Sequence, residues 1–187
     1  MTISINELKS GLTILLDTKV YQVVEYQHVK PGKGSAFVRT KLRDLKNGGI
    51  QEVTFRGEQK IEEAFVEQRK LQYLYRSGDM FHFMDQSNFE EIAVSGDFLD
   101  DKVKFLKDNL EVLSSFYKNE ILNIILPNFI EFEITHTEPG IRGDTARSGF
   151  KPAEIETHAT VQVPLFIGIG DKIKIDTRTG DYIERVS

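Results

Sequence analysis

The chain has 187 residues, 40% of them hydrophobic, with a formal net charge of −5 and neither cysteine nor tryptophan. That is enough apolar material for one to three folded units, and the lack of cysteine excludes disulfides and thiolate chemistry. No apolar run approaches the roughly 18 residues of a membrane span, and Met1-Thr2-Ile3-Ser4-Ile5-Asn6-Glu7 lacks the basic-then-apolar pattern of a secretion signal, so a cytoplasmic protein without membrane association is expected.

Along the chain, short strands and turns dominate. Residues 12–16, 20–26, 36–42 and 52–55 are rich in aliphatic, β-branched or aromatic side chains and read as strands. Asp17-Thr18, a loop around Lys33, and Lys46-Asn47-Gly48-Gly49 separate them. The loop runs Lys30-Pro31-Gly32-Lys33-Gly34. Pro31 fixes one backbone angle and the glycines open others, so Lys33 is expected at an apex with no bulky neighbour. In the strand that follows, Arg39, Lys41 and Arg43 fall two apart and share one face, with Val38 and Leu42 on the other.

Residues 56–69 have helical spacing at Ile61, Ala64 and Phe65, but their charge density also suits an exposed connector, and a boundary is placed near residue 64. Residues 72–75 and 80–84 read as strands joined by Ser77-Gly78-Asp79. The spacing over 96–106 predicts a helix capped by Ser95 or Asp97, with Lys107 near its negative end. Strands follow at 111–117 and 121–126, and Pro127-Asn128 marks a second boundary. Beyond it, 129–135, 158–163, 172–175 and 182–186 are expected strands. Residues 78–85 echo 170–176, which two related barrels or any two Gly-Asp hairpins would produce. The expectation is an all-β protein of three small β-barrels, spanning 1–64, 65–127 and 128–187.

Charge is unevenly spread: +2 over 1–64, −4 over 65–127 and −3 over 128–187. Lys30, Lys33, Arg39, Lys41 and Arg43 form a run without an acidic residue, the kind of local patch that attracts phosphate backbones whatever the total charge. A second signal lies in residues 138–149, where Arg142 and Arg147 flank Gly143-Asp144-Thr145, whose backbone and hydroxyl suit phosphate or sugar.

Catalytic arrangements are missing. His28, His82, His136 and His158 stand in separate segments without metal-ligand spacing. There is neither a nucleophile elbow nor a phosphate-cradling loop ending in Lys-Ser/Thr. Glu90-Glu91 and Asp100-Asp101 read as solvated faces. No metal, no cofactor and no enzymatic activity are expected. One alternative is a Lys33 Schiff base, although such lysines are normally desolvated.

The whole chain resembles bacterial elongation factor P. The resemblance rests on Lys30-Pro31-Gly32-Lys33-Gly34-Ser35-Ala36-Phe37, on Gly143-Asp144-Thr145-Ala146, and on a C-terminal signature. That signature runs Lys151-Pro152-Ala153-Glu154-Ile155-Glu156-Thr157, Val161-Gln162-Val163-Pro164-Leu165-Phe166 and then residues 170–182 to Tyr182. It implies an N-terminal KOW/SH3-like domain and two oligonucleotide-binding (OB-fold) domains in an L shape mimicking tRNA. It also implies a monomer that binds rRNA of both ribosomal subunits and peptidyl-site tRNA, between the peptidyl and exit sites, and relieves stalling at consecutive prolines. Lys33 would be the functional tip, open to a lysine-modifying enzyme. Arg39, Lys41, Arg43, Arg142, Gly143, Asp144, Thr145, Arg147, Tyr182 and Arg185 would contact RNA. The chain departs from the pattern at His158, where the family leads one to expect Gly. The rival reading is a general single-strand nucleic-acid-binding OB-fold protein.

Overall fold

The structure, a computed structural model, describes residues 1–32, 34–139 and 149–186. It is all-β, as expected, and its strands form three sheets. Strands β1 (Thr2–Ser4), β2 (Thr13–Leu16), β3 (Lys19–Val29), β4 (Phe37–Asp44), β5 (Ile50–Arg56) and β6 (Lys60–Glu63) make the first, in the order β1-β6-β2-β3-β4-β5. The second comprises β7 (Val66–Ser77), β8 (Met80–Asp85), β9 (Glu91–Ser95), β10 (Glu111–Tyr117) and β11 (Glu120–Ile125), in the order β11-β10-β7-β8-β9. The third holds β12 (Phe129–Thr137), β13 (Phe150–Ile155), β14 (Thr160–Pro164), β15 (Lys172–Asp176) and β16 (Asp181–Val186), ordered β14-β13-β12-β15-β16. Counted within its own segment, the second sheet runs 5-4-1-2-3 and the third 3-2-1-4-5, the same arrangement read from opposite ends.

Contacts divide the chain into two compact units, residues 1–69 with 114–124, and residues 70–113 with 125–187. In the first, Ile5, Leu8, Ile14, Val23, Val38, Leu42, Phe55 and Ile61 form the core. The Arg69 guanidinium lies over the Phe116 ring at 4.4 Å, and Asn123 Nδ2 donates to the Leu45 carbonyl at 2.7 Å. In the second, Tyr73 packs on Phe83 with ring centroids 5.4 Å apart, Phe105 meets Phe132 at 6.0 Å, and Ile134, Ile155, Ile173 and Ile175 are fully buried. Burial alternates along the strands because successive side chains point to opposite faces.

Several expectations change. Residues 96–106 form one α-turn, α1 (Gly96–Leu99), followed by a 3-10 stretch over Asp100–Phe105. Of the two expected caps it is Ser95 that works, its Oγ accepting from Phe98 N at 3.3 Å. Asp100 takes φ 53°, which breaks the α-helical path. Lys107 therefore lies off any helix end; its Nζ donates to the Glu131 carbonyl at 2.5 Å. Residues 56–69, open between a helix and an exposed connector, hold β6 and the start of β7. Strands β1, β6, β9 and β13 were not foreseen, being short or, in β13, interrupted by Pro152. Among the described residues no helix is long and apolar enough to cross a membrane.

One six-residue turn occurs three times. Asp44, Asp85 and Asp176 each end a strand with the carboxylate buried. Their Oδ1 atoms accept from the backbone N–H two residues on, at Lys46 (2.8 Å), Ser87 (2.8 Å) and Arg178 (3.0 Å). Their carbonyls accept from the N–H four residues on, at Gly48, Phe89 and Gly180, at 2.9, 2.8 and 2.7 Å. In each turn the next residue ties to a neighbouring segment: Leu45 N to Val20 O, Gln86 N to Lys70 O and Thr177 N to Asn128 O. The segments that echo each other, 78–85 and 170–176, both end on the aspartate that opens this turn. The echo matches β8 with β15, the second and fourth strands of their sheets in chain order, so it marks similar hairpins and not a repeat register.

Arg178 holds the Asp176 carboxyl down to about 2, by side-chain and then backbone hydrogen bonds. Its folded value lies below the ordinary carboxylate value near 3.9. Its stabilisation is therefore complete above about pH 4 and lost as pH falls towards 2. Urea unfolding of Asp176→Asn should show lower stability than wild type at pH 7 and a flatter pH dependence between 4 and 2.

His158 adopts φ 65° in the turn before β14, its N–H donating to Ile155 O at 2.8 Å and its Nδ1 2.8 Å from Glu154 Oε1. This left-handed residue explains why the strand starts at Thr160 and not at 158. Glycine at this position would escape a cost of about 1–2 kcal/mol, offset by about 0.4–1 kcal/mol of added freedom in the unfolded chain. Thermal unfolding of His158→Gly should show equal or slightly raised stability.

Candidate nucleic-acid interface

The β3–β4 hairpin carries the expected basic face. Val38, Thr40, Leu42 and Asp44 are buried, so Phe37, Arg39, Lys41 and Arg43 face outward, as their spacing predicted. Thr40 is satisfied internally, its Oγ1 donating to Val53 O at 2.9 Å. The Arg39 guanidinium lies 5.7 Å from the centroid of the Phe37 ring. On the opposite face, Tyr26 and His28 meet edge to face at 5.6 Å where the strand runs beyond the core.

The register supplies what the linear sequence did not show. Lys41 lies opposite Glu25 on β3 and Glu52 on β5, and its Nζ is 2.8 Å from Glu25 Oε2. The hydrogen bond to Glu25 raises the Lys41 pKa above its ordinary value, and the Glu25 and Glu52 charges add to this. Arg39 instead faces Gln27 and Thr54, and Arg43 faces Gln22 and Ile50. The row of three cations thus offers two, Arg39 and Arg43, that have no carboxylate directly across the ladder.

Beyond Val29 the chain turns through Lys30, Pro31 and Gly32 and returns through Gly34, all exposed. Gly34 takes φ 109°, open to glycine and closed to other residues, whereas Gly32 stays outside that region. Lys33 itself lies outside the described residues.

Arg142, Gly143, Asp144, Thr145 and Arg147 also lie outside the described residues. The segment next to them is anchored: Lys151, almost fully buried, donates from Nζ to the Glu138 carbonyl at 2.7 Å. Tyr182 and Arg185 sit on β16 opposite Ile175 and Ile173, the side that lines the interior. Tyr182 is half-buried there, and Arg185 Nη1 is 3.7 Å from Asp171 Oδ1. These two belong to the second compact unit and the β4 cations to the first.

A second group of cations went unnoticed in the sequence. Arg76, Lys104 and Lys107 line a cleft of about 580 Å³ with Tyr73, Phe81 and His158. Their positions are spread over some thirty residues, and no spacing marks them as a set. Lys104 pairs with Asp101, and Lys107 Nζ is 3.4 Å from Glu156 Oε1. Arg76 lies over the Phe81 ring at 5.2 Å with Nε donating to Gly78 O at 2.7 Å. The histidines make local contacts in the same way; His82 Nδ1 is 2.6 Å from Glu91 Oε1 and its ring stacks on Tyr75 at 4.5 Å. Among the described residues no three metal-ligating side chains cluster.

Comparison with known proteins accounts for nearly the whole chain. The family model described as Elongation factor P (EF-P) KOW-like domain matches residues 4–61, the Elongation factor P (EF-P) OB domain matches 66–124, and Elongation factor P, C-terminal, matches 130–185. Elongation factor P of Natranaerobius thermophilus is 52% identical over 184 residues, covering 98% of each chain. That of Clostridium tetani is also 52% identical over 184 residues, covering 98% of this chain and all of its own. Among solved structures, eukaryotic translation initiation factor 5A from Methanococcus jannaschii is similar in fold, with a TM-score of 0.53 at 23% identity over 67% of this chain and 94% of that one. A translation initiation factor 5A family protein from Naegleria fowleri gives 0.54 at 17% identity, covering 67% of this chain and 98% of its own. With three domain matches in series and relatives half identical from end to end, this chain belongs to the bacterial elongation factor P family, the translation elongation factors.

Proposed function

We propose that this protein binds the ribosome between the peptidyl and exit sites and relieves stalling at consecutive prolines, with Lys33 orienting the peptidyl-tRNA. The observation that carries this reading is the end-to-end match to elongation factor P at 52% identity. The geometry of the β3–β4 hairpin agrees with it. An exposed Pro-Gly turn, closed by a glycine that only glycine suits, continues a ladder with outward-facing Arg39 and Arg43.

Proline's ring fixes φ and leaves a constrained secondary amine as the nucleophile, so a prolyl-tRNA adopts unreactive geometries. The ribosome already has the catalytic centre and lacks only alignment. Recovering about 3–4 kcal/mol by holding the reactants in place gives a hundredfold gain or more. A cation on a constrained turn does this among phosphates without transferring any group. The three domains of this reading are 1–64, 65–127 and 128–187. The third places Arg142, Gly143, Asp144, Thr145, Arg147, Tyr182 and Arg185 against RNA on the small-subunit side. The protein acts in the cytoplasm as a monomer, and a lysine-modifying enzyme extends Lys33 in cells that have one. A general single-strand binder would need an unneutralised basic groove; in the Arg76–Lys104–Lys107 cleft Lys104 pairs with Asp101 and Lys107 lies 3.4 Å from Glu156, and residues 77–101 contain no Lys or Arg.

Lys33→Ala should keep the circular dichroism spectrum and melting curve of the wild type. In a reconstituted translation system it should lose at least tenfold of the stimulation on a template with consecutive proline codons; wild-type stimulation by that variant would refute the assignment. Ribosome binding measured against salt separates the cations. Arg39→Glu should weaken it and lower the log–log salt slope by about 1 or more. Lys41→Ala should have a smaller effect than Arg39→Ala because Glu25 already neutralises Lys41, and Glu25→Gln should tighten binding.

A further inference from the structure

The three Asp turns are alike in their hydrogen bonds and differ at one position. Where the first has Gly48 at φ 74° and the third Gly180 at φ 79°, the second has Phe89 at φ 61°. A bulky residue in the left-handed region carries a steric cost that glycine escapes. The Phe89 side chain recovers none of it by packing into the core: the residue is 74% exposed. Among the described residues it has no aromatic or cation–π partner. Strain combined with an exposed ring points to a function outside the chain.

The loop that carries the ring is held firmly. The Asp85 carboxylate accepts from both the Ser87 N–H and hydroxyl, at 2.8 and 2.6 Å. Asn88 Oδ1 accepts from Glu90 N at 3.0 Å, while Asn88 Nδ2 donates to Glu90 Oε2 at 2.8 Å. Gln86 ties the loop to Lys70 O through its N–H and to Glu111 through its side chain at 2.9 Å. Such a presentation loses little freedom when it binds.

The surroundings select the partner. Residues 77–101 carry Asp79, Asp85, Glu90, Glu91, Asp97, Asp100 and Asp101 with no Lys or Arg, and Lys70 is the cation whose backbone meets the loop. A base stacked on Phe89 would bring its phosphates against Glu90 and Glu91, which disfavours RNA. A protein with an apolar pocket rimmed by Lys or Arg meets both the ring and the charge.

We propose that Phe89 is an anchor residue by which the second sheet docks onto a basic protein surface of the ribosome, its ring filling an apolar pocket and Glu90 pairing at the rim. This rests on the ribosomal reading above. The test uses the full-length protein and purified ribosomes. With a benzophenone amino acid at position 89, ultraviolet light should crosslink it to a ribosomal protein. In cosedimentation, Phe89→Ala should bind about tenfold more weakly, and Glu90→Lys should weaken binding in the same direction. Phe89→Gly should bind as poorly as Phe89→Ala while melting no lower than wild type, which separates lost contact from lost folding. Crosslinks to rRNA or tRNA overturn the proposal in favour of a nucleic-acid contact, and unchanged binding of Phe89→Ala beside a wild type that sediments normally overturns it alone. Failure of the wild type itself to sediment refutes the ribosomal reading, and this proposal with it.

Discussion

A buried aspartate that folds its carboxylate back onto its own backbone underlies much of this molecule. Such a group would be costly in an apolar interior if it were unpaired. Here Asp44, Asp85 and Asp176 each spend an oxygen on the N–H two residues ahead, so the turn that needs a donor satisfied and the carboxylate that needs a partner meet each other's requirement. The residue after each aspartate then bonds to an adjoining segment, which fixes the hairpin's position in its sheet. The first of these turns follows directly on β4, the strand that carries the candidate cations, and the second holds the exposed phenylalanine.

How legible this was depended on whether the physics was local. Lys46-Asn47-Gly48-Gly49 was readable as a turn because glycine marks the left-handed position. The equivalent Ser87-Asn88-Phe89 carries no such mark, and its identity with the other turns emerges only from the hydrogen bonds. The outward row of Arg39, Lys41 and Arg43 follows from alternation alone, and it was correct. Its partial neutralisation was hidden, because Glu25 and Glu52 meet Lys41 through cross-strand register, a property of pairing rather than of any one segment. The expected helix failed for a single-residue reason. Asp100 enters the left-handed region four residues into a stretch whose capping and charge pattern otherwise suited a longer helix.

Charge is organised at two scales. On β4 of the first sheet three cations face outward, two of them without an opposing carboxylate, which suits phosphate at short range. On the second, a 25-residue stretch holds seven acids and no base. A net charge of −5 describes neither surface.

The three self-closed turns also bear on how the chain finds its shape. A hairpin whose loop completes its own hydrogen bonds joins residues only a few positions apart, and the entropy lost in closing so short a segment is small. Such contacts form in microseconds, well before strands distant in sequence can meet. Each sheet therefore has a built-in starting point for assembly, β4 with β5, β8 with β9, and β15 with β16, onto which the remaining strands condense.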